Sequence, residues 1–244
     1  TMTETILILG GTREAAELAA RIVIDRPDAR IVTSLAGRTK EPSPLSGEVR
    51  IGGFGGAEGL AGWLSENEVS ALIDATHPFA KSISANAVKA ADTSGVPLYR
   101  LARPAWVKQG GDRWIEVATL EAASDAIPAR AKVFLALGSQ HIAAFEKRDD
   151  VHFVVRMIDQ PEQKPDLPNH TLVLGRPGDS AAVETILFLS HAITHIVCRN
   201  SGGEAGYAKI EASRKMNLPV IMIARPASSP AGYATIDDLL AALP

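Results

Sequence analysis

Short apolar runs alternate with stretches of helical periodicity along this chain, and that alternation restricts the fold more than any other feature. Residues 6–9 read as a strand that leads into a helix ending near residue 24. Strands follow at 30–34, 70–75 and 97–102, with helices over 60–67 and 80–94. The second half repeats the scheme, with strands near 132–137, 153–157, 194–198 and 219–224. Strands separated by helices are the pattern of βαβ units and a parallel sheet.

The halves also resemble each other. Val96-Pro-Leu-Tyr-Arg-Leu-Ala-Arg-Pro-Ala105 aligns with Leu218-Pro-Val-Ile-Met-Ile-Ala-Arg-Pro-Ala227 at an offset of 122 residues. The same offset lays the helix after Asp74-Ala-Thr-His77 onto the helix after Val197-Cys-Arg-Asn200. Leu9-Gly-Gly-Thr12 has a looser counterpart in Leu137-Gly-Ser-Gln140. With 244 residues the chain is long enough for two ordinary domains. The expected fold class is therefore α/β, as two Rossmann-like domains with mainly parallel sheets, spanning residues 1–111 and 112–244. The glycines near 110–112 mark the linker, and the strand near 114–117 fits either half.

Composition excludes several classes. Hydrophobic residues at 46% and charged residues at 22% disfavour both disorder and a coiled coil. A formal charge of −3 supplies no basic field, so neither a nucleic-acid nor an anionic-membrane partner is expected. The single cysteine, Cys198, has no intramolecular partner and sits in an apolar strand. The first strand starts near residue 5 and no apolar run reaches spanning length, so the expected location is cytoplasmic. No metal-ligand spacing is present, and no built-in metal is expected.

In an open parallel sheet, ligands bind beyond the carboxyl ends of the strands, where helix N-termini offer unpaired N–H groups. Gly10, Gly11 and Thr12 occupy such a position, followed by Arg13. The glycines admit a phosphate close to the backbone, and the Thr12 hydroxyl either bonds it or caps the helix. A plain glycine turn is the competing reading. After the second strand, Ser34, Arg38 and Thr39 stand where NAD enzymes place an acidic residue. Donors there suit a 2′-phosphate, hence NADP over NAD, against the alternative of a solvated loop arginine. Gly52-Gly-Phe-Gly-Gly56 is either a phosphate loop or, on its short preceding strand, a strand-to-helix turn.

Thr76, His77 and Pro78 end another strand at the same edge, and no G-x-S-x-G nucleophile accompanies them. In the second half, Ser139 and the run Asn200-Ser201-Gly202-Gly203 occupy strand ends, with Tyr207 and Lys209 just behind. Tyr207 and Lys209 lack the four-residue spacing of the short-chain dehydrogenase pair. Arg100, Arg103, Arg156 and Arg225 fall within or after strands; they gather charge for a polycarboxylate, or each pairs with a local acid.

Six stretches together resemble the precorrin-6A reductases of cobalamin biosynthesis: Ile8-Leu-Gly-Gly-Thr-Arg-Glu-Ala15, Ser34-Leu-Ala-Gly-Arg38, Asp74-Ala-Thr-His-Pro-Phe-Ala80, Tyr99-Arg-Leu-Ala-Arg-Pro-Ala-Trp106, Asn200-Ser-Gly-Gly203 and Leu218-Pro-Val-Ile221. Arg199 departs from an expected lysine and keeps its charge. The resemblance implies NADPH-dependent reduction of one double bond of a tetrapyrrole in a cleft between the two domains. It assigns Gly10, Gly11, Thr12, Arg13, Ser34, Arg38, Thr39, Thr76, His77 and Pro78 to NADPH. Arg103, Ser139, Arg156, Asn200, Ser201, Gly202 and Gly203 would face the substrate. Lys209 and Tyr207 are the candidate proton donors, with water as a third, and neighbouring pathway enzymes are the implied transient partners. A nucleotide or tetrapyrrole carrier without redox chemistry is the alternative from another class.

Overall fold

The computed structural model describes residues 4–37, 44–226 and 231–244. The chain divides into two compact units, Thr1–Pro104 with Ser228–Pro244, and Ala105–Ala227.

The first unit begins with β1 (Thr5–Leu9), α1 (Arg13–Asp25), β2 (Arg30–Leu35) and β3 (Glu48–Ile51). It continues with α2 (Gly56–Glu66), β4 (Val69–Asp74), α3 (Lys81–Ser94) and β5 (Leu98–Arg100). The strands form one parallel sheet in the order β3-β2-β1-β4-β5. Both faces of β1 are covered, which is why its sequence is a continuous apolar run. Ile6 and Ile8 pack with Leu18 and Ile22 of α1, while Leu7 and Leu9 pack with Leu60 and Leu64 of α2 and Ala87 of α3. Each of these buried leucines and isoleucines contributes about 1.5–3 kcal/mol relative to exposure. The Gly52 to Gly56 stretch is a strand-to-helix turn, with Gly55 at φ 84° as the cap of α2.

The second unit contains β6 (Arg113–Val117), α4 (Leu120–Ala126), β7 (Lys132–Ala136), a 3-10 turn (Ala143–Phe145), β8 (His152–Met157) and β9 (His170–Leu174). Then come α5 (Ala181–Ser190), β10 (His195–Arg199), α6 (Ala208–Lys215) and β11 (Pro219–Ile223). Its sheet runs β6-β11-β10-β7-β8-β9, with every pairing parallel. Cys198 is buried in β10. The segment between β8 and β9 carries the three prolines expected of a loop.

Read from its other edge, β9-β8-β7-β10-β11 repeats β3-β2-β1-β4-β5 in connection and order, which is what a duplicated ancestor leaves. One exchange interrupts the repeat. β6 follows β5 in the chain yet pairs with β11, from Arg113↔Pro219 to Val117↔Ile223. The outer neighbour of β5 comes instead from the far end of the chain: Leu101 bridges Tyr233, and Tyr233 N–H donates to Arg100 O at 2.8 Å. The helix α7 (Ile236–Ala242) then places Leu239 in the same core as Ile6 and Leu18.

The expected division at 111/112 is therefore corrected twice. Residues 110–112 belong to a turn inside the second unit, where Asp112 accepts the N–H of Gln109 and pairs with Arg214 at 2.9 Å. The last residues return to the first unit because the apolar positions of α7 bury against α1. Glycine content flagged a turn there, and turns and linkers share that composition.

Candidate functional site

In the first unit, β1 runs into α1 across Gly10 and Gly11, and each glycine is required for a different reason. A Cβ on Gly10 would lie 2.7 Å from Thr33 Cγ2, a distance that packing does not tolerate. Gly11 adopts φ 101° with nothing within 4 Å of its would-be Cβ, so conformation demands glycine and space lies open above it. The N–H groups of the first turn of α1, including Arg13, lack helical partners by construction and carry the positive end of the dipole. The turn thus fits the diphosphate of a dinucleotide, with Arg13 exposed beside it.

Thr12 resolves the two roles open to its hydroxyl. It caps α1, accepting the N–H of Ala15 at 3.1 Å, and it donates to Ala75 O at 2.8 Å. Its one hydrogen is committed to the protein, so a phosphate would meet the Thr12 backbone instead.

Asp74, at the end of β4, organises the next stretch. It is 3% exposed, and its Oδ1 accepts both the N–H of Thr76 (3.1 Å) and the Thr76 hydroxyl (2.6 Å). Its Oδ2 accepts the Ser84 hydroxyl at 2.6 Å and lies 3.5 Å from Arg100 Nη1. His77 Nδ1 accepts the N–H of Phe79 at 3.2 Å across Pro78, which fixes the tautomer with hydrogen on Nε2. Thr12, Ala75, Thr76, Pro78 and Arg103 line one small hollow. A larger cavity of about 280 Å³ adjoins it, walled by Glu14, Leu101, Arg103 and Asp237. Arg103 pairs with Glu14 there, so its charge has a partner within its own unit. Ser34 is buried at the end of β2, where its carbonyl accepts the N–H of Gly10 at 3.0 Å. Arg38 and Thr39 lie outside the described residues.

The second-unit residues expected to face a substrate divide in two. Ser139, Ser201, Gly202 and Gly203 do lie in strand-end loops, after β7 and β10. Asn200 clamps a neighbouring segment of its own unit. Its Oδ1 accepts the N–H of Trp106 (2.8 Å) and its Nδ2 donates to Trp106 O (2.9 Å), which pins the entering chain. Arg156 likewise donates through both Nη atoms to Glu184, each at 2.9 Å, and its guanidinium covers the Phe134 ring at 4.9 Å. Arg225 donates to the carbonyls of Asn200 and Ser201. The Tyr207 hydroxyl accepts from Arg214 at 2.7 Å and from Gln109 at 3.1 Å, and it belongs to the network around Asp112.

Lys209 differs from all of these. It is a buried ammonium with one hydrogen bond, to Gly206 O at 2.7 Å, and its Nζ lies 4.9 Å from the centroid of the Trp106 ring. Burial pushes it below the ordinary lysine value, Cys198 and Glu184 oppose that shift, and Arg156 and Arg199 reinforce it. Such a group surrenders its proton more readily than a solvated lysine.

Two contributors escaped the sequence reading. Glu184 is fully buried, and its Oε1 also accepts the N–H of Gly178 at 2.6 Å. Its signal was available: a single carboxylate inside the otherwise apolar helix Ala181–Ser190 has to find a cation. Glu14 is one of several acids on a helix surface, and nothing in sequence distinguished it.

Comparison with known proteins converges on one group. The family described as Precorrin-6x reductase CbiJ/CobK matches residues 5–244. A precorrin-6A reductase of Rhodococcus erythropolis is 44% identical over 98% of this chain and 95% of that protein. A cobalt-precorrin-6A reductase of Priestia megaterium is 27% identical over 98% of this chain and 97% of that protein. The solved structure of CobK precorrin-6A reductase superposes with a TM-score of 0.92 at 41% identity, over 98% of this chain and 95% of that one. The chain belongs to this family of precorrin-6x reductases, the oxidoreductases of cobalamin biosynthesis.

Proposed function

We propose that this protein uses NADPH to reduce one double bond of precorrin-6A, giving precorrin-6B, in the cytoplasm. The observation that carries the reading is the glycine turn at the head of α1, with its unpaired N–H groups and the open space over Gly11, in a chain of this family. The coenzyme supplies a hydride. Gly10, Gly11, Thr12 and Arg13 hold its diphosphate through backbone groups, while Ser34, Arg38 and Thr39 address the 2′-phosphate. Thr76, His77 and Pro78, set by Asp74, border the nicotinamide end.

Ser139, Ser201, Gly202 and Gly203 offer small, donor-rich loops to the tetrapyrrole. Reduction adds a proton as well as a hydride across the double bond, and Lys209 delivers it, the lowered affinity of the buried ammonium favouring transfer. Tyr207 is the second candidate for that step, since its hydroxyl accepts from Arg214 and Gln109 and keeps its own hydrogen. Orientation of the two reactants accounts for most of the acceleration.

The cobalt-free ring is favoured over the cobalt complex. Relatives named precorrin-6A reductase are 41–46% identical, and those named cobalt-precorrin-6A reductase are 25–28% identical. The test is anaerobic addition of precorrin-6A, with or without cobalt, to enzyme and NADPH. Loss of nicotinamide absorbance with a product heavier by two hydrogens is expected. Binding without coenzyme oxidation would leave a carrier, and equal use of NADH would remove the NADPH assignment.

A further inference from the structure

A hydroxyl with no hydrogen-bond partner and a guanidinium with no carboxylate partner, among the described residues, stand side by side at the outer part of the first unit's sheet. Ser34 on β2 and Arg50 on β3 are register partners, so their side chains leave the parallel ladder on the same face. The ladder closes just beyond them, where Gly52 N–H donates to Leu35 O at 2.9 Å. Ser34 is buried, and its hydroxyl has no hydrogen-bond partner among the described residues.

Arg50 is half-buried and held rigidly. Its Nη1 donates to Gly52 O at 2.6 Å and its Nη2 to Gly53 O at 2.9 Å, while the guanidinium carbon lies 3.7 Å from the centroid of the Phe54 ring. No carboxylate pairs with it among the described residues, in contrast to Arg30 with Glu48, Arg100 with Asp74 and Arg103 with Glu14. Two carbonyls and a ring fix the plane of this cation without neutralising it, and a guanidinium has five N–H donors, so others remain. Ser34 lies one strand, and Arg50 two strands, from the strand that carries the glycine turn. In a doubly wound sheet whose first turn holds the diphosphate, the end of the adjoining strand faces the adenosine ribose.

We propose that Arg50 and Ser34 together bind the 2′-phosphate of the coenzyme's adenosine, the guanidinium fork and the hydroxyl donating to its oxygens, and so set the preference for the phosphorylated coenzyme. Arg50 is a specificity residue that the sequence reading passed over, since it lies inside a strand. The inference rests on the NADPH reading above.

The experiment titrates NADPH and NADH, by nicotinamide fluorescence, into wild type, Arg50→Met, Arg50→Lys and Ser34→Ala. Arg50→Met should weaken NADPH about ten- to a hundredfold, as loss of a charged hydrogen-bonded pair does, with NADH little changed. Arg50→Lys should fall between, and Ser34→Ala should cost NADPH about two- to tenfold. A wild-type NADPH/NADH ratio in Arg50→Met overturns the proposal; should that variant melt with the loop, an unchanged ratio in both Arg50→Lys and Ser34→Ala overturns it equally. Wild type binding both coenzymes alike would bring down the NADPH reading itself, whereas a wild-type preference that survives every variant removes only Arg50 and Ser34.

Discussion

The hydroxyl of Thr12 donates to the carbonyl of Ala75 across 2.8 Å while accepting the N–H of Ala15, so one side chain joins the turn after β1 to the end of β4. Thr12→Val keeps the shape and loses both bonds. It should cost about 1–3 kcal/mol in chemical denaturation, a helix cap and a hydrogen bond together. Thr12→Ser should restore most of it.

Gly10 and Thr33 can be tested as a pair. Gly10→Ala should be destabilising by about 1–3 kcal/mol through overpacking against Thr33 Cγ2. Thr33→Ser removes that methyl, and the double variant should recover stability beyond additivity in a double-mutant cycle. Additive losses would mean that the neighbouring contacts with Ala15 and Leu35, not Thr33, set the cost.

Asp74→Asn should loosen the turn holding Thr76. An amide cannot accept from Thr76 and Ser84 at once while facing Arg100, so about 2–4 kcal/mol of stability should be lost. A coenzyme affinity unchanged in a folded Asp74→Asn enzyme would detach Thr76 from the site.

Asn200→Asp tests the clamp on Trp106. The carboxylate has no hydrogen for Trp106 O, and two oxygens would face each other in a buried place. A loss of about 2–3 kcal/mol is expected by thermal melting, with a red-shifted tryptophan emission.

Lys209→Met should abolish turnover, leave NADPH binding intact and raise stability. Burial depresses the folded-state value below the ordinary 10.5, so the unfolded chain binds the proton more tightly. The penalty is fully present below the depressed value and vanishes as pH climbs to 10.5. The stability gap between variant and wild type should therefore be widest in acid and shrink as pH rises from the depressed value towards 10.5. A gap independent of pH would show that Lys209 titrates normally.

The central strands and the strand-end loops were legible because their signals are local: residues 6–9 are apolar on both faces, and Gly10 and Gly11 mark the turn. What sequence did not yield is partner choice. Arg103, Arg156 and Asn200 have the chemistry of ligand contacts, yet Glu14, Glu184 and Trp106 meet them first, through approaches between residues far apart in the chain. The exchange of edge strands was hidden for the same reason, since β6 pairs as well with β11 as the internal repeat would have it pair with β5.

That exchange bears on how the protein is made. The core containing Ile6 and Leu18 is closed by Leu239 and Leu243, which a ribosome delivers only after the whole of the second unit. The amino-terminal half therefore cannot mature during synthesis in the usual vectorial order. The half translated second holds every strand of its own sheet once β11 has emerged, so it is the one able to settle first.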